Sequence, residues 1–133
     1  MGTYSKEFDS KADVIETSCD FYTVDGRRVV HCNKVMWDTG STMTILSRRL
    51  LDKLRPEPFR KGGMSGIGGD VETNTYLVHV APPTGDVITY IEVMEHDFDD
   101  FDAIIGMDII TYGDFRVESI GGKTTFSFRL PDE

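Results

Sequence analysis

An acid set between two strand-forming runs constrains this chain more than any other feature. Val29 to Val35 reads as a strand, Met43-Thr44-Ile45-Leu46 reads as a second apolar run, and Asp38-Thr39-Gly40-Ser41 lies between them. A small hydroxyl residue and a glycine after an aspartate suit a tight turn. An acid so placed is expected near the core rather than out in solvent. An unpaired charge is costly there, which makes it a candidate for chemistry. Taken alone, the triplet also fits a plain turn aspartate that bonds its own backbone.

Asp-Thr-Gly occurs once, and Asp-Ser-Gly does not occur. Peptide hydrolysis by carboxylates needs two of them close together, sharing one proton. A chain with one such acid can build that pair only by meeting a copy of itself.

The rest of the chain reads as short strands divided by turns. Val14 to Met36 forms a hairpin around Asp25-Gly26, a two-residue turn signal. Val24 then opposes Arg27, and counting outward sets Cys19 opposite Cys32, on the face shared with Phe21 and Val30. Ser47 caps a short helix with the apolar stripe Leu50, Leu51 and Leu54, closed by Pro56. A glycine-rich loop, Lys61 to Asp70, leads into a strand from Val71 to Val80 whose Tyr76, Val78 and Val80 share a face. Pro82 to Gly85 is a turn, and Val87 to Met94 is a further strand. An acidic loop from His96 to Asp102 precedes a buried strand, Ala103 to Ile105, and a short helix, Met107 to Tyr112. The end is a hairpin, Phe115 to Ile120 and Thr124 to Leu130, turning at Gly121-Gly122. The fold class is all-β.

Composition narrows the function classes. At 133 residues the chain suits one domain, placed at 13–133 behind a flexible tail at 1–12. A net charge of −9 argues against nucleic acid and anionic membrane partners, and no apolar run is long enough to span a bilayer. Two acidic copies should associate more easily in salt or at lower pH. The start lacks the apolar core of a secretory signal, so a reduced, cytoplasmic chain is expected. Cys19 and Cys32 read as buried thiols touching across the hairpin, with a strained cross-strand disulfide as the alternative. No cofactor and no metal are expected, since the cysteines and histidines do not cluster. Asp99, Asp100 and Asp102 lack the glycine turn and closing glutamate of a calcium loop. His31, His79 and His96 have no serine or cysteine partner for nucleophilic catalysis.

Three stretches fall in order: Trp37-Asp38-Thr39-Gly40-Ser41-Thr42, Met64-Ser65-Gly66-Ile67-Gly68-Gly69, and Ala103-Ile104-Ile105-Gly106-Met107-Asp108-Ile109-Ile110. This order and spacing resembles the retropepsin family, the single-domain, homodimeric aspartic proteases of retroviruses and their cellular relatives. The resemblance covers roughly Val14 to Tyr112. It rests most on the apolar pair, glycine and short helix roughly 65 residues after the acid turn.

The resemblance implies an acid-protease barrel with one or two short helices and a C-terminal β-hairpin. It implies an endopeptidase that cleaves extended peptide or protein segments through water activated by Asp38 and its twin. Thr39 would bond across the two-fold axis, and Gly40 would let substrate backbone approach. Ser41, Thr42 and Ile104 would line the substrate groove. Gly66, Ile67 and Gly68 would form the tip of a flap that closes over the peptide.

Departures from the viral pattern accompany the match. Viral members commonly carry an acid two positions after the glycine of the triplet and an arginine just after the later glycine. Here those places hold Thr42 and Met107, and Asp108 with its helix looks more like cellular and bacterial members. The longer C-terminal hairpin can supply a dimer interface or cap a sheet edge. A catalytically inactive peptide- or protein-binding module on the same fold is the alternative function.

Overall fold

The computed structural model describes residues 2–66 and 69–131. It contains ten strands and two short helices among those residues. β2 (Ile15–Thr23) and β3 (Val29–Trp37) are the predicted first hairpin, and Cys19 opposes Cys32 as the turn position required. Both cysteines are free and buried. The turn is wider than the two residues expected. Thr23 N–H donates to Arg28 O at 3.0 Å, and the Asp25 carboxylate accepts from Thr23 Oγ1 at 2.7 Å and from Arg27 N–H at 2.9 Å. The aspartate thus organises a longer connection in which Gly26 takes a φ of 74°.

β4 (Ile45–Ser47) runs into helix α1 (Arg48–Leu54), where Ser47 Oγ accepts from Leu50 N–H at 3.1 Å. That bond satisfies one of the orphan donors of the first turn, and Leu50, Leu51 and Leu54 are buried as the stripe predicts. The helix stops at Arg55, one residue before the expected proline. Arg55 takes a left-handed φ of 50° and returns its N–H to Leu51 O.

β5 (Pro58–Gly66), β6 (Gly69–Ala81), β7 (Ile88–His96) and β8 (Ala103–Ile105) complete the larger sheet. Its order is β2-β3-β8-β4-β7-β6-β5, and an extra β2–β6 pairing closes it into a barrel. β3–β8 and β4–β7 are parallel, and the other pairings are antiparallel. Closure leaves the six strands of the barrel without a free edge along their pairing. β6 is long enough to serve two neighbours along one edge, with β7 along the other. Residues 78–81 pair with β2, and residues 69–76 pair with β5. Since β7 begins its pairing at Thr75, the β5–β6 hairpin projects from the barrel as an arm.

α2 (Met107–Ile110) leads to β9 (Asp114–Ile120) and β10 (Lys123–Arg129), the predicted C-terminal hairpin. The expected flexible tail is corrected here. Thr3–Glu7 is strand β1, paired antiparallel with β10 from Thr3↔Arg129 to Glu7↔Thr125. Gly2 N–H bonds Asp86 Oδ2 at 2.7 Å, and Ala12 N–H bonds Thr124 Oγ1 at 2.9 Å, so both ends of the segment are tied down. The resulting sheet, β1-β10-β9, packs its Phe115, Phe126 and Phe128 against Trp37 at the end of β3. The ring centroids lie 4.9 to 6.1 Å from the indole, within the range of favourable aromatic contact. The indole N–H is satisfied by Thr17 Oγ1 at 2.8 Å. Trp37 therefore joins the two sheets and forms the floor from which the acid turn departs.

Candidate active site

The turn at Asp38 is held from beneath by the segment that follows β8. Asp38 N–H donates to Ile105 O at 2.8 Å, extending the β3–β8 pairing by one residue. Met107 N–H donates to Ser41 O at 2.7 Å, and Ser41 N–H donates to Asp38 O at 3.2 Å. Gly106 lies so close to this loop that a methyl group there would sit 2.7 Å from both Ser41 O and Met43 O. Only glycine permits that approach, because the opposing atoms are backbone and cannot swing aside.

Thr44 and Asp108 complete the fastening. Thr44 Oγ1 donates to Asp108 Oδ1 at 2.8 Å, and Thr44 N–H donates to Asp108 Oδ2 at 2.9 Å. Gly106 N–H donates to Thr44 Oγ1 at 3.2 Å, and Asp108 Oδ1 also accepts from Ile109 N–H at 2.9 Å. Thr44 is fully buried, so these bonds carry the desolvation of its hydroxyl and amide. Sequence reasoning noted Asp108 as a departure and gave it no role. The available signal was a carboxylate in the first turn of a helix, where unpaired amides collect.

Asp38 itself is half-buried, less shielded than its flanking runs suggest, and Thr39 and Gly40 are exposed. Asp38 Oδ1 accepts from Gly40 N–H at 2.8 Å, which is the local bond of the plain-turn reading. Among the described residues no cation forms an ion pair with it. The turn thus presents an acid to solvent in one chain, aimed by its own backbone and left without a counter-charge.

The other expected site residues divide into three groups. Ile104 is half-buried between the buried Ala103 and Ile105, opposite Met36 and Ile45, so its side alternates away from the core. Thr42 is exposed beside the turn. Ser41 Oγ donates to Met43 O at 2.6 Å, so its hydroxyl is spent on the loop. Gly66 ends β5, paired with Gly69 of β6, at the far end of the arm. Ile67 and Gly68 lie outside the described residues.

The thiols take no part in this site. Burial raises the Cys19 thiol well above its ordinary value and pushes Cys32 up to about 12, so both stay protonated and poorly nucleophilic. A cavity of about 370 Å³ opens between the first hairpin tip and the start of β5, beside Val24, Arg28, Pro56, Phe59 and Leu77, and it holds none of the expected site residues.

Comparison with solved structures identifies the fold. A retropepsin-like aspartic protease from Rickettsia conorii matches over 98% of this chain and 98% of its own, with a TM-score of 0.61 and 14% identity. EIAV protease complexed with the inhibitor HBY-793 matches over 73% of this chain and 86% of its own, with a TM-score of 0.50 and 24% identity. The retroviral protease-like domain of Ddi1 from Leishmania major matches over 91% and 97%, with a TM-score of 0.50 and 19% identity. No protein-family model and no curated protein sequence matches the chain. The chain has the retropepsin-like, all-β fold.

Proposed function

We propose that this chain, on its retropepsin-like fold, is an aspartic endopeptidase that cleaves extended peptide segments as a homodimer. The observation that carries the reading is the Asp38 turn, fastened to Ile105 and Met107 yet presenting an unpaired carboxyl on its open side. Two such turns facing each other would set the two Asp38 carboxyls a few ångströms apart. Like charges that close cannot both ionise, so one carboxyl keeps its proton. The ionised one takes a proton from a water held between them, and that water's oxygen attacks the scissile carbonyl carbon. The protonated one donates to the carbonyl oxygen. The tetrahedral intermediate then collapses with proton transfer to the leaving amine, and the carboxyl pair returns to sharing a single proton.

In this reading Thr39 bonds across the two-fold axis and Gly40 admits the substrate backbone. Ile104 and Thr42 border the groove, and the arm ending at Gly66, with Ile67 and Gly68, closes over the peptide. A peptide between arm and floor would bind as an added strand, with alternate side chains in pockets. In this reading the domain includes β1, which pairs with β10 in the smaller sheet. Two free thiols suit a reduced, cytoplasmic setting, and among the described residues no helix is long and apolar enough to cross a membrane.

The test is a peptide-library digest with the wild-type chain and Asp38→Asn. Cleavage is expected for the wild type, with a rate maximum below neutrality, and its loss by at least about a thousandfold in the variant. The variant should fold and associate as the wild type does. Full activity in Asp38→Asn sinks the assignment, and binding of peptides without turnover in the wild type establishes the alternative, a binding module.

A further inference from the structure

We propose that the cavity between the first hairpin and the start of β5 binds the carboxyl end of a peptide whose last side chain is apolar, with Arg28 and Arg55 taking the carboxylate. This second site lies apart from the acid turn, and it stands whether or not the chain cleaves peptides.

The cavity arises where β6 changes partner along one edge. Thr23 of β2 pairs with Val78, and Pro58 of β5 pairs with Tyr76. Leu77 falls between the two strand ends, and a space of about 370 Å³ opens over it. The end of β2 and its turn, with Val24 and Arg28, make one wall. The other wall runs from the cap of α1 to β5, through Arg55 and Phe59. Pockets for small ligands span about 300–1,000 Å³, so this one has room for a single large side chain with its terminus.

Two backbone irregularities meet at the second wall. Arg55 holds a left-handed φ of 50°, at a position where glycine would be free of strain. Phe59 sits where β5 shifts register against β6, between Pro58 and Arg60, and it is 50% exposed. A bulge of this kind re-aims a side chain, and such irregularities gather at binding sites. The Phe59 ring is held in turn, since the Arg60 guanidinium lies 5.5 Å from its centroid and is fixed to Glu92. On the first wall, Arg28 N–H donates to Thr23 Oγ1 at 3.1 Å, which anchors the backbone from which its side chain departs. A pocket whose walls are already fixed loses little entropy when it is filled.

Charge selects the occupant. Among the described residues neither Arg28 nor Arg55 forms an ion pair. Asp25 also lines the cavity, but it is spent on the hairpin turn and on Arg27 at 3.9 Å. Glu57 is the other acid of the lining. Counting Arg27 with its partner, three arginines meet two carboxylates, which leaves one positive charge in excess on a chain of net charge −9. The complement is one negative charge on an apolar body. A carboxylate fits, because guanidinium groups bond its two oxygens in parallel. A phosphate brings more charge than the excess and would meet Asp25 and Glu57 as well. A peptide end carries its carboxylate and its last side chain on one Cα, so both enter the cavity together. The residues before them can bond along β5, which is the last strand of its sheet among the described residues.

Titration calorimetry of the full chain with acetyl-Gly-Gly-Phe as free acid, and with its C-terminal amide, tests the site. The acid should bind with a Kd below about 1 mM, and the amide at least about tenfold more weakly. Arg28→Gln and Arg55→Gly should each weaken the acid about tenfold. Arg55→Gly should at the same time keep or raise Tm, by up to a few degrees, because glycine relieves the left-handed strain; lost binding is then not lost folding. Arg116→Gln, far along the chain in β9, controls for net charge and should bind as the wild type does. Asp38→Asn should also bind the acid unchanged, since Asp38 does not line the cavity. The anion 3-phenylpropanoate carries the same ring and carboxylate without a peptide, and it should bind at least about fivefold more weakly. Equal binding of acid and amide, wild-type binding by both cavity variants, or no binding at all overturns the site. Loss of binding in Asp38→Asn places the probe at the acid turn and overturns it too. Equal binding of 3-phenylpropanoate overturns the peptide end as the occupant.

Discussion

The acid turn is fastened to residues 105–108 through Asp38, Ser41 and Thr44, whereas residues 69–74 of the projecting arm pair with β5 alone. The turn uses backbone amides, a buried threonine and a carboxylate, with a glycine that lets two segments touch. A side-chain staple joins the base of the arm. Arg60 grips Glu92 with two bonds of 2.7 Å, and Glu92 also accepts from Thr75 Oγ1 at 2.7 Å, linking β5, β6 and β7. The difference follows from the tasks proposed for them. A carboxyl that must share a proton needs fixed geometry, and a cover over a groove needs low local stability to open.

Substitutions at the turn should have the largest effects. Gly106→Ala forces a methyl group against two backbone carbonyls at 2.7 Å, and it should cost about 3 kcal/mol, or roughly 10 °C in Tm. Asp108→Ala removes the acceptor of Thr44 N–H, Thr44 Oγ1 and Ile109 N–H, and it should cost about 2–3 kcal/mol. Chemical denaturation measures both. If either variant loses less than about 0.5 kcal/mol, the turn is not the over-determined region described here. Both should also reduce peptide cleavage more than their stability loss explains, because the Asp38 turn rests on these contacts.

The same contrast marks what could be read from the sequence. Local patterns were legible: the Cys19–Cys32 register from turn counting, the Ser47 cap, and the Leu50, Leu51 and Leu54 stripe. Each depends on residues near one another in the chain. Strand β1 was not legible, because its partner β10 begins more than a hundred residues later and its own stretch, Thr3 to Glu7, is too polar to announce a buried face. Its half-buried Tyr4 and Lys6 are ordered by Phe126 and the Glu16 carbonyl, both supplied by tertiary structure. The Asp108–Thr44 bond was missed for a like reason. Its partners are 64 residues apart, and nothing local to either reports the other. The Asp38 turn was legible as a turn because the residues that form it are consecutive.

The arm staple should give a smaller and more local effect. Glu92→Gln keeps the shape and removes the charge, so global stability should fall by less than about 1 kcal/mol, as for an ion pair at the surface. Hydrogen exchange should register it more clearly, with amides of residues 73–75 exchanging a few-fold faster while those of Val35 and Ile105 keep their protection. Equal changes in both sets would show that the arm and the barrel open together, and would erase the distinction between the two regions.

The smallest effect expected is the response of the staple to acid. Arg60 and the Thr75 hydroxyl, by bonding the Glu92 carboxylate, hold its pKa below the ordinary glutamate value of 4.5. A depressed folded value means that the contribution is fully present above the unfolded pKa and is lost as pH falls through the folded one. The arm should therefore stay stapled from neutrality down to about pH 4.5, across the mildly acidic range in which a shared proton favours cleavage. Exchange at residues 73–75, corrected for the intrinsic pH dependence, should rise only below that point and should approach the Glu92→Gln level there. In Glu92→Gln the step should be absent. If the variant retains it, another carboxylate controls the base of the arm. If the wild type shows the rise already at pH 6, the staple does not hold the arm in the range where the proposed chemistry runs, and the arm must be restrained by the peptide beneath it.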